Sequence, residues 1–245
     1  MPVEQLKDVL PKSDALSPAE IEAKAESLGV TKTSMSFIRS FMLSIMAGAF
    51  IAMGAMFFLL VSGDPDLPFA VQRVLGGALF SLGLLLVVVC GAELFTGNTM
   101  IVMSAASKKI SWGAVLKNWV VVFVGNFVGA LIIVGLVYLS GMHTMNGGIV
   151  GSTMVSVASS KMTPDWVTLF AKGIMCNFLV CLAVWIGYAG KTVADKMLGI
   201  LLPIAAFVAC GFEHCVANMF FLPMGILLTS VGIVPAGIDP SVITW

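Results

Sequence analysis

Cys90-Gly91-Ala92-Glu93-Leu94-Phe95-Thr96-Gly97-Asn98 and Cys210-Gly211-Phe212-Glu213-His214-Cys215-Val216-Ala217-Asn218 are two polar, glycine-marked interruptions inside long apolar runs. Aligned without gaps, their Cys, Gly, Glu and Asn coincide at a constant offset of 120 residues. The runs that hold them, Val74–Ala106 and Met197–Thr229, are too long for one simple helix, since a bilayer crossing needs ~20 residues. Three more runs have ordinary span length: Phe41–Val61, Val115–Leu139 and Trp166–Tyr188. The interrupted runs are the second and fifth of the five, so they cross in opposite directions. Matched breaks in oppositely directed spans predict an inverted repeat of three plus three spans.

Working outward, composition agrees with a membrane protein. Of 245 residues, 59% are hydrophobic and 11% charged, against about 25% charged in soluble domains. The net charge is zero, so nothing points to nucleic acid. Cys90, Cys176, Cys181, Cys210 and Cys215 all fall in apolar runs and read as small buried residues rather than a disulfide framework or paired metal site. No cleavable signal is visible, because the first 33 residues are polar and charged.

These observations divide the chain into a tail (residues 1–33) and a membrane domain (34–245), with a first repeat over 34–139 and an incomplete second over 164–245. In the tail, Ser17-Pro18-Ala19-Glu20 is a capping box, and Gly29 is a stop signal. The short helix between them carries Ile21, Ala25 and Leu28 on one face, and either docks as a lead-in or plugs a pore mouth. Basic residues cluster in the tail (Lys7, Lys12, Lys24, Lys32, Arg39) and in two alternate connections (Lys108, Lys109, Lys117; Lys191, Lys196). The remaining connections hold only Arg73 and Lys161, which predicts a cytoplasmic N-terminus. A counterpart of the third span falls due at about residue 235. Val231–Trp245 holds two prolines and an aspartate instead, so the expectation is a chain lacking a sixth span.

Backbone freed by a break inside the bilayer is tolerated only in protein or against a wet cavity. Two matched breaks therefore predict a permeation path. The resumed helices are expected to begin after Asn98 and Asn218, and their partly positive N-termini favour an anion. His214 is the one histidine within a span, and an ionisable group at that depth is a functional candidate. Its alternative reading is a neutral core histidine. Glu93 and Glu213 read as supports that accept hydrogen bonds from the freed amides. A single intramembrane histidine predicts no metal site, no cofactor and no hydrolase.

At these residues the chain resembles the formate/nitrite transporter family, and within it the formate channels. The resemblance runs from about Phe41 to Thr229. It is carried by Ser81–Leu84, Cys90–Thr96, Lys117-Asn118-Trp119, Gly125-Asn126, Val128–Leu131, Val180–Trp185, Gly211–His214, Asn218–Phe220 and Pro223–Ile226. The resemblance implies an all-α, aquaporin-like inverted repeat in the bacterial inner membrane. It implies homopentamers with one pore for small monovalent anions, formate first, in each protomer. It assigns Phe80, Leu84 and Phe207 to apolar constrictions, and Leu94, Phe95 and Thr96 to a segment beside the pore. It makes His214 and Thr96 the central polar contacts, Asn177 a supporting one, and Lys161 an anion attractor at the outer mouth. Read without it, Phe80, Leu84 and Phe207 are packing residues and Lys161 a solvated charge. Gly97-Asn98 after Thr96 is shared with nitrite and hydrosulfide relatives, so nitrite, hydrosulfide and acetate stay open, as does a non-transporting assembly subunit. Lys172 is expected to snorkel to the interface or touch a neighbouring protomer.

Overall fold

A computed structural model describes residues 15–244; Lys7 and Lys12 of the tail lie outside the described residues. In chain order the helices are α1 (Pro18–Ser34), α2 (Phe37–Ser62), α3 (Phe69–Cys90), α4 (Phe95–Asn98), α5 (Val102–Ala106), α6 (Trp112–Leu139), α7 (Ile149–Met162), α8 (Trp166–Ala189), α9 (Val193–Ala209) and α10 (Cys215–Ser230). A 3₁₀ turn at Thr99–Ile101 joins α4 to α5.

Among the described residues, α2, α3, α6 and α8 are long and apolar enough to cross a membrane. Helices α2, α3 and α6 start before their apolar runs, and α8 starts with its own at Trp166. Ser36, Ser111 and Asp165 accept amide hydrogen bonds from the first turns of α2, α6 and α8, and the first two so extend their helices towards the surface. Helix α7 has no counterpart in the expected elements. Its mixed Ser, Thr, Gly and apolar residues never form a run of span length.

Small residues set how closely these helices approach. A Cβ on Gly48 would run into the Asn126 backbone, and one on Gly129 into the Ile45 carbonyl, which locks α2 against α6. A Cβ on Gly77 would lie 2.6 Å from the Ala205 carbonyl, so α3 and α9 also meet backbone to backbone. Without a hydrophobic drive between helices in lipid, this close packing supplies the association.

The capping box of α1 forms as expected, with Glu20 N–H donating to Ser17 Oγ and Ser17 N–H to the Glu20 carboxylate at 2.7 Å. Gly29 does not end the helix, which runs on to Ser34. It is instead the point of closest contact, where a Cβ would overlap Ser104. The buried face is Ile21, Ala25 and Gly29, one step round from the expected face, and Leu28 is left partly exposed.

Helix α1 is tied to the span ends. Lys24 Nζ donates to the Tyr188 carbonyl at 2.9 Å, Ser104 Oγ to the Glu26 carbonyl at 2.8 Å, and Lys109 and Ser107 to the Glu26 carboxylate. The Lys109 hydrogen bond, then that of Ser107, holds the Glu26 carboxyl below its usual range. This tether is present above the ordinary carboxylate pKa and lost as pH falls through the lowered one.

Gly129→Leu should destabilise the protein by about 1–3 kcal/mol through forced separation of α2 and α6. Gly135→Leu, where a Cβ meets nothing within 4 Å, should leave the melting temperature in detergent unchanged.

Candidate anion pore

Gly91 and Gly211 take left-handed conformations (φ 72° and 74°), which stop α3 and α9. The chain then runs extended through Leu94 and His214, and helix resumes at Phe95 and Cys215. The resumption expected after Asn98 and Asn218 is therefore corrected, and both asparagines sit in the first turn of the resumed helix. On the second side the reason is local: His214 Nδ1 accepts the Ala217 N–H at 3.0 Å and caps α10 with its own ring.

The freed backbone groups find partners on neighbouring helices. Glu93 N–H donates to the Leu43 carbonyl at 3.1 Å, and Glu213 N–H to that of Lys172 at 3.4 Å. Asn126 on α6 accepts the Phe95 N–H at 2.9 Å and donates to the Glu93 and Ser44 carbonyls at 2.9 and 2.8 Å. Asn126 had entered the sequence reading only as part of the resemblance. Its visible signal is a lone amide in the apolar stretch Val120–Val137.

Glu93 and Glu213 do not take freed amides, contrary to expectation; their carboxylates take side-chain donors instead. Lys32 Nζ and Asn98 Nδ2 each donate to the Glu93 carboxylate at 2.7 Å. Lys161 Nζ and Asn218 Nδ2 donate to Glu213 Oε2 at 2.8 and 2.9 Å. The two lysines are equivalent by position. Lys32 stands in the last turn of α1, five residues before the span that opens at Phe37, and Lys161 in the last turn of α7, five before Trp166. That shared spacing was a readable signal for Lys32, which sequence reasoning used only in the charge bias.

Two cavities lie on either side of a closed neck. One, of about 320 Å³, opens beneath α1 and ends on Leu84 and Leu94. The other, about 220 Å³, ends on Phe80, Phe207 and His214. Phe80 and Phe207 meet edge to face at 5.7 Å, and Phe207 stacks on the His214 ring at 5.7 Å. All five side chains are at most 4% exposed. At the centre, Thr96 Oγ1 lies 3.1 Å from His214 Nε2. Since His214 Nδ1 is an acceptor, the neutral ring carries its one proton on Nε2, aimed at Thr96.

Both cavities carry more cations than carboxylates. Lys24, Lys32, Arg39 and Lys196 line the α1-side cavity against Glu93. Arg73, Lys161 and Lys172 line the opposite one against Glu213. Lys172 lines this cavity, and its turn of α8 packs on the break through the Glu213 N–H. Lys161 also lies 5.3 Å over the Phe221 ring. Arg73 donates to the Val208 and Ala209 carbonyls at 2.8 and 2.9 Å, where α9 ends.

Three expected pore residues line neither cavity. Thr96 lies between the two, against His214. The Phe95 ring turns away to Phe123 (5.1 Å) and Trp119 (6.3 Å). Asn177 reaches the neck only indirectly, donating to Thr99 Oγ1 at 3.0 Å, whose hydroxyl donates to the Thr96 carbonyl at 2.8 Å.

Multiple apolar spans, with two cation-rich cavities converging on a buried polar contact, define a membrane transport protein. The profile described as Formate/nitrite transporter matches residues 19–244, so the chain belongs to the formate/nitrite transporter family. Formate channel FocA of Escherichia coli (strain K12) is 43% identical over 216 residues, covering 88% of this chain and 76% of that protein. Among solved structures, a pentameric formate channel with formate bound matches with TM-score 0.74 at 40% identity, over 80% of this chain and 78% of that one. An FNT family ion channel matches with TM-score 0.77 at 30% identity, over 84% and 82%. These relatives are channels, not enzymes.

Lys32→Ala should cost ~3 kcal/mol, the low end for a broken buried pair because the Lys32 side chain keeps 19% exposure. Adding Glu93→Gln should recover part of that loss in thermal denaturation, since the stranded charge is removed.

Proposed function

We propose that this chain is a channel for formate and related small monovalent anions, with transport coupled to a proton through His214. The carrying observation is the Thr96–His214 contact buried in an apolar neck between two cation-rich cavities. Each mouth concentrates anions by its excess positive charge. The neck of Phe80, Leu84, Leu94 and Phe207 rejects hydrated cations and multivalent anions, because removing their water costs several kcal/mol or more. A monocarboxylate carries less charge to desolvate. Low dielectric favours its neutral acid. His214 can supply that proton only after the ring has taken up a second one from solution, returning to the neutral imidazole as the acid forms.

The inverted repeat is part of this proposal. The matched left-handed glycines, the matched Lys–Glu–Asn clusters and the equal spacing of Lys32 and Lys161 before their spans support it. The membrane domain is then residues 34–245, preceded by the tail at 1–33. Contacts of Leu16 with Ala189, and of α1 with Tyr188 and Lys109, gather the basic connections on one face, which supports a cytoplasmic N-terminus in a bacterial inner membrane. A homopentamer with one pore per protomer is proposed from the pentameric relative.

Nitrite, hydrosulfide and acetate are ranked against formate by flux into proteoliposomes at two pH values. Formate should lead and should move faster at the lower pH; no flux for any of these anions would favour an assembly subunit. His214→Phe should flatten the pH dependence, and an unchanged profile removes His214 from proton transfer. Lys161→Ala with Glu213→Gln should slow uptake several-fold at low formate concentration. An unaltered rate ends the attractor role of Lys161.

A further inference from the structure

The α1-side cavity holds more positive charge than admitting a monovalent anion requires. Its single carboxylate, Glu93, is already taken by Lys32 and Asn98. Three further cations converge on it from separate elements: Lys24 of α1, Arg39 of α2 and Lys196 of α9. Arg39 and Lys196 have no ion pair among the described residues. Lys24 donates to the Tyr188 carbonyl and lies 5.8 Å over the Tyr188 ring, with no ion pair among the described residues. The Lys24 ammonium is held below its usual pKa first by burial and then by repulsion from Lys196. Like charges gathered without a counter-charge mark a place where an anion lowers the energy of the protein itself. In the opposite cavity Glu213 pairs with Lys161 and helix-end carbonyls engage Arg73. Lys172 alone stands there without an ion pair or carbonyl partner among the described residues, against both Arg39 and Lys196 here.

We infer that the α1-side cavity is a binding site for a small polyvalent oxyanion of the phosphate class, which plugs the pore reversibly from that face. Cations approaching from three elements suit an oxyanion with acceptors pointing in several directions, whereas a planar carboxylate is served by one partner. At about 320 Å³ the cavity lies at the small end of ligand sites. Leu84 and Leu94 close its floor, so an ion with two or more charges is held by the rim and stopped by the neck. The plug rests on the channel reading above; binding does not.

The probe is inorganic pyrophosphate, in magnesium-free buffer. Calorimetry on the purified protein in neutral detergent should give saturable binding with one site per protomer, weakened by salt. Lys196→Gln and Lys24→Gln should each lower affinity about tenfold, the loss expected for one charged hydrogen bond. Lys172→Gln in the opposite cavity should leave affinity unchanged. In phosphatidylcholine vesicles, pyrophosphate on the α1 face should inhibit formate flux, and on the other face should not. Should the Lys24 variant fail to assemble, the exterior-edge Lys196→Gln carries the test alone. Absence of binding, affinity indifferent to Lys196→Gln, or equal inhibition from both faces overturns the site. Loss of pyrophosphate binding on adding phosphatidylglycerol would assign the cavity to a lipid headgroup and equally overturn a soluble occupant. Binding without any formate flux would sink the channel reading and leave the site standing.

Discussion

A polypeptide that abandons helix inside an apolar slab must satisfy each freed amide and carbonyl from within the protein. That constraint shapes this molecule. Gly91 and Gly211 make the turns possible, and each departure is then held by the Leu43 and Lys172 carbonyls, by the amide of Asn126 on the first side, and by the His214 ring, which caps its own resumed helix, on the second. A carboxylate sits in each break, and a buried carboxylate needs a counter-charge. Each receives it from a helix that precedes a span, Lys32 from α1 and Lys161 from α7. The helix beneath which the first cavity opens is therefore part of the scaffold of the break and not an appendage to it.

The same arrangement sets up the proposed chemistry. With backbone demands met elsewhere, the centre of the neck keeps one polar side-chain contact, between Thr96 and His214. Its surroundings are aromatic and aliphatic, and the excess charge lies further out in the two cavities. Attraction at long range and exclusion at short range thus fall to different residues. In the proposed function, charge draws anions to both mouths, and dehydration at the neck decides which of them proceed.

Much of this was legible in the sequence because it lies in local pattern. Apolar run lengths gave the spans, and the coincidence of Cys, Gly, Glu and Asn located both interruptions. The resemblance picked out Phe80, Leu84, Leu94, Phe207, Thr96 and His214, which the fold gathers at one place. Helix ends were less legible, since Ser36 and Ser111 cap α2 and α6 ahead of the residues at which their apolar runs begin, positions a hydropathy pattern omits. Helix α7 escaped because it is short and its Ser, Thr and Gly residues are interspersed among the apolar ones. Phe95 misled because it is adjacent in sequence to Leu94 and Thr96, while its ring turns towards Phe123 on α6.

By itself the sequence determined that the chain spans a membrane, where its two long runs are broken, and which ionisable groups lie at those breaks. Composition and periodicity suffice for that, because burial in lipid is a property of each segment taken alone. Only the tertiary structure decided which lysine neutralises which glutamate, that Lys172 faces a cavity, that Asn177 stands one residue back from the neck, and that Gly29 is a contact and not a stop. These depend on distances between segments far apart in the chain, and such distances follow from how closely the helices pack.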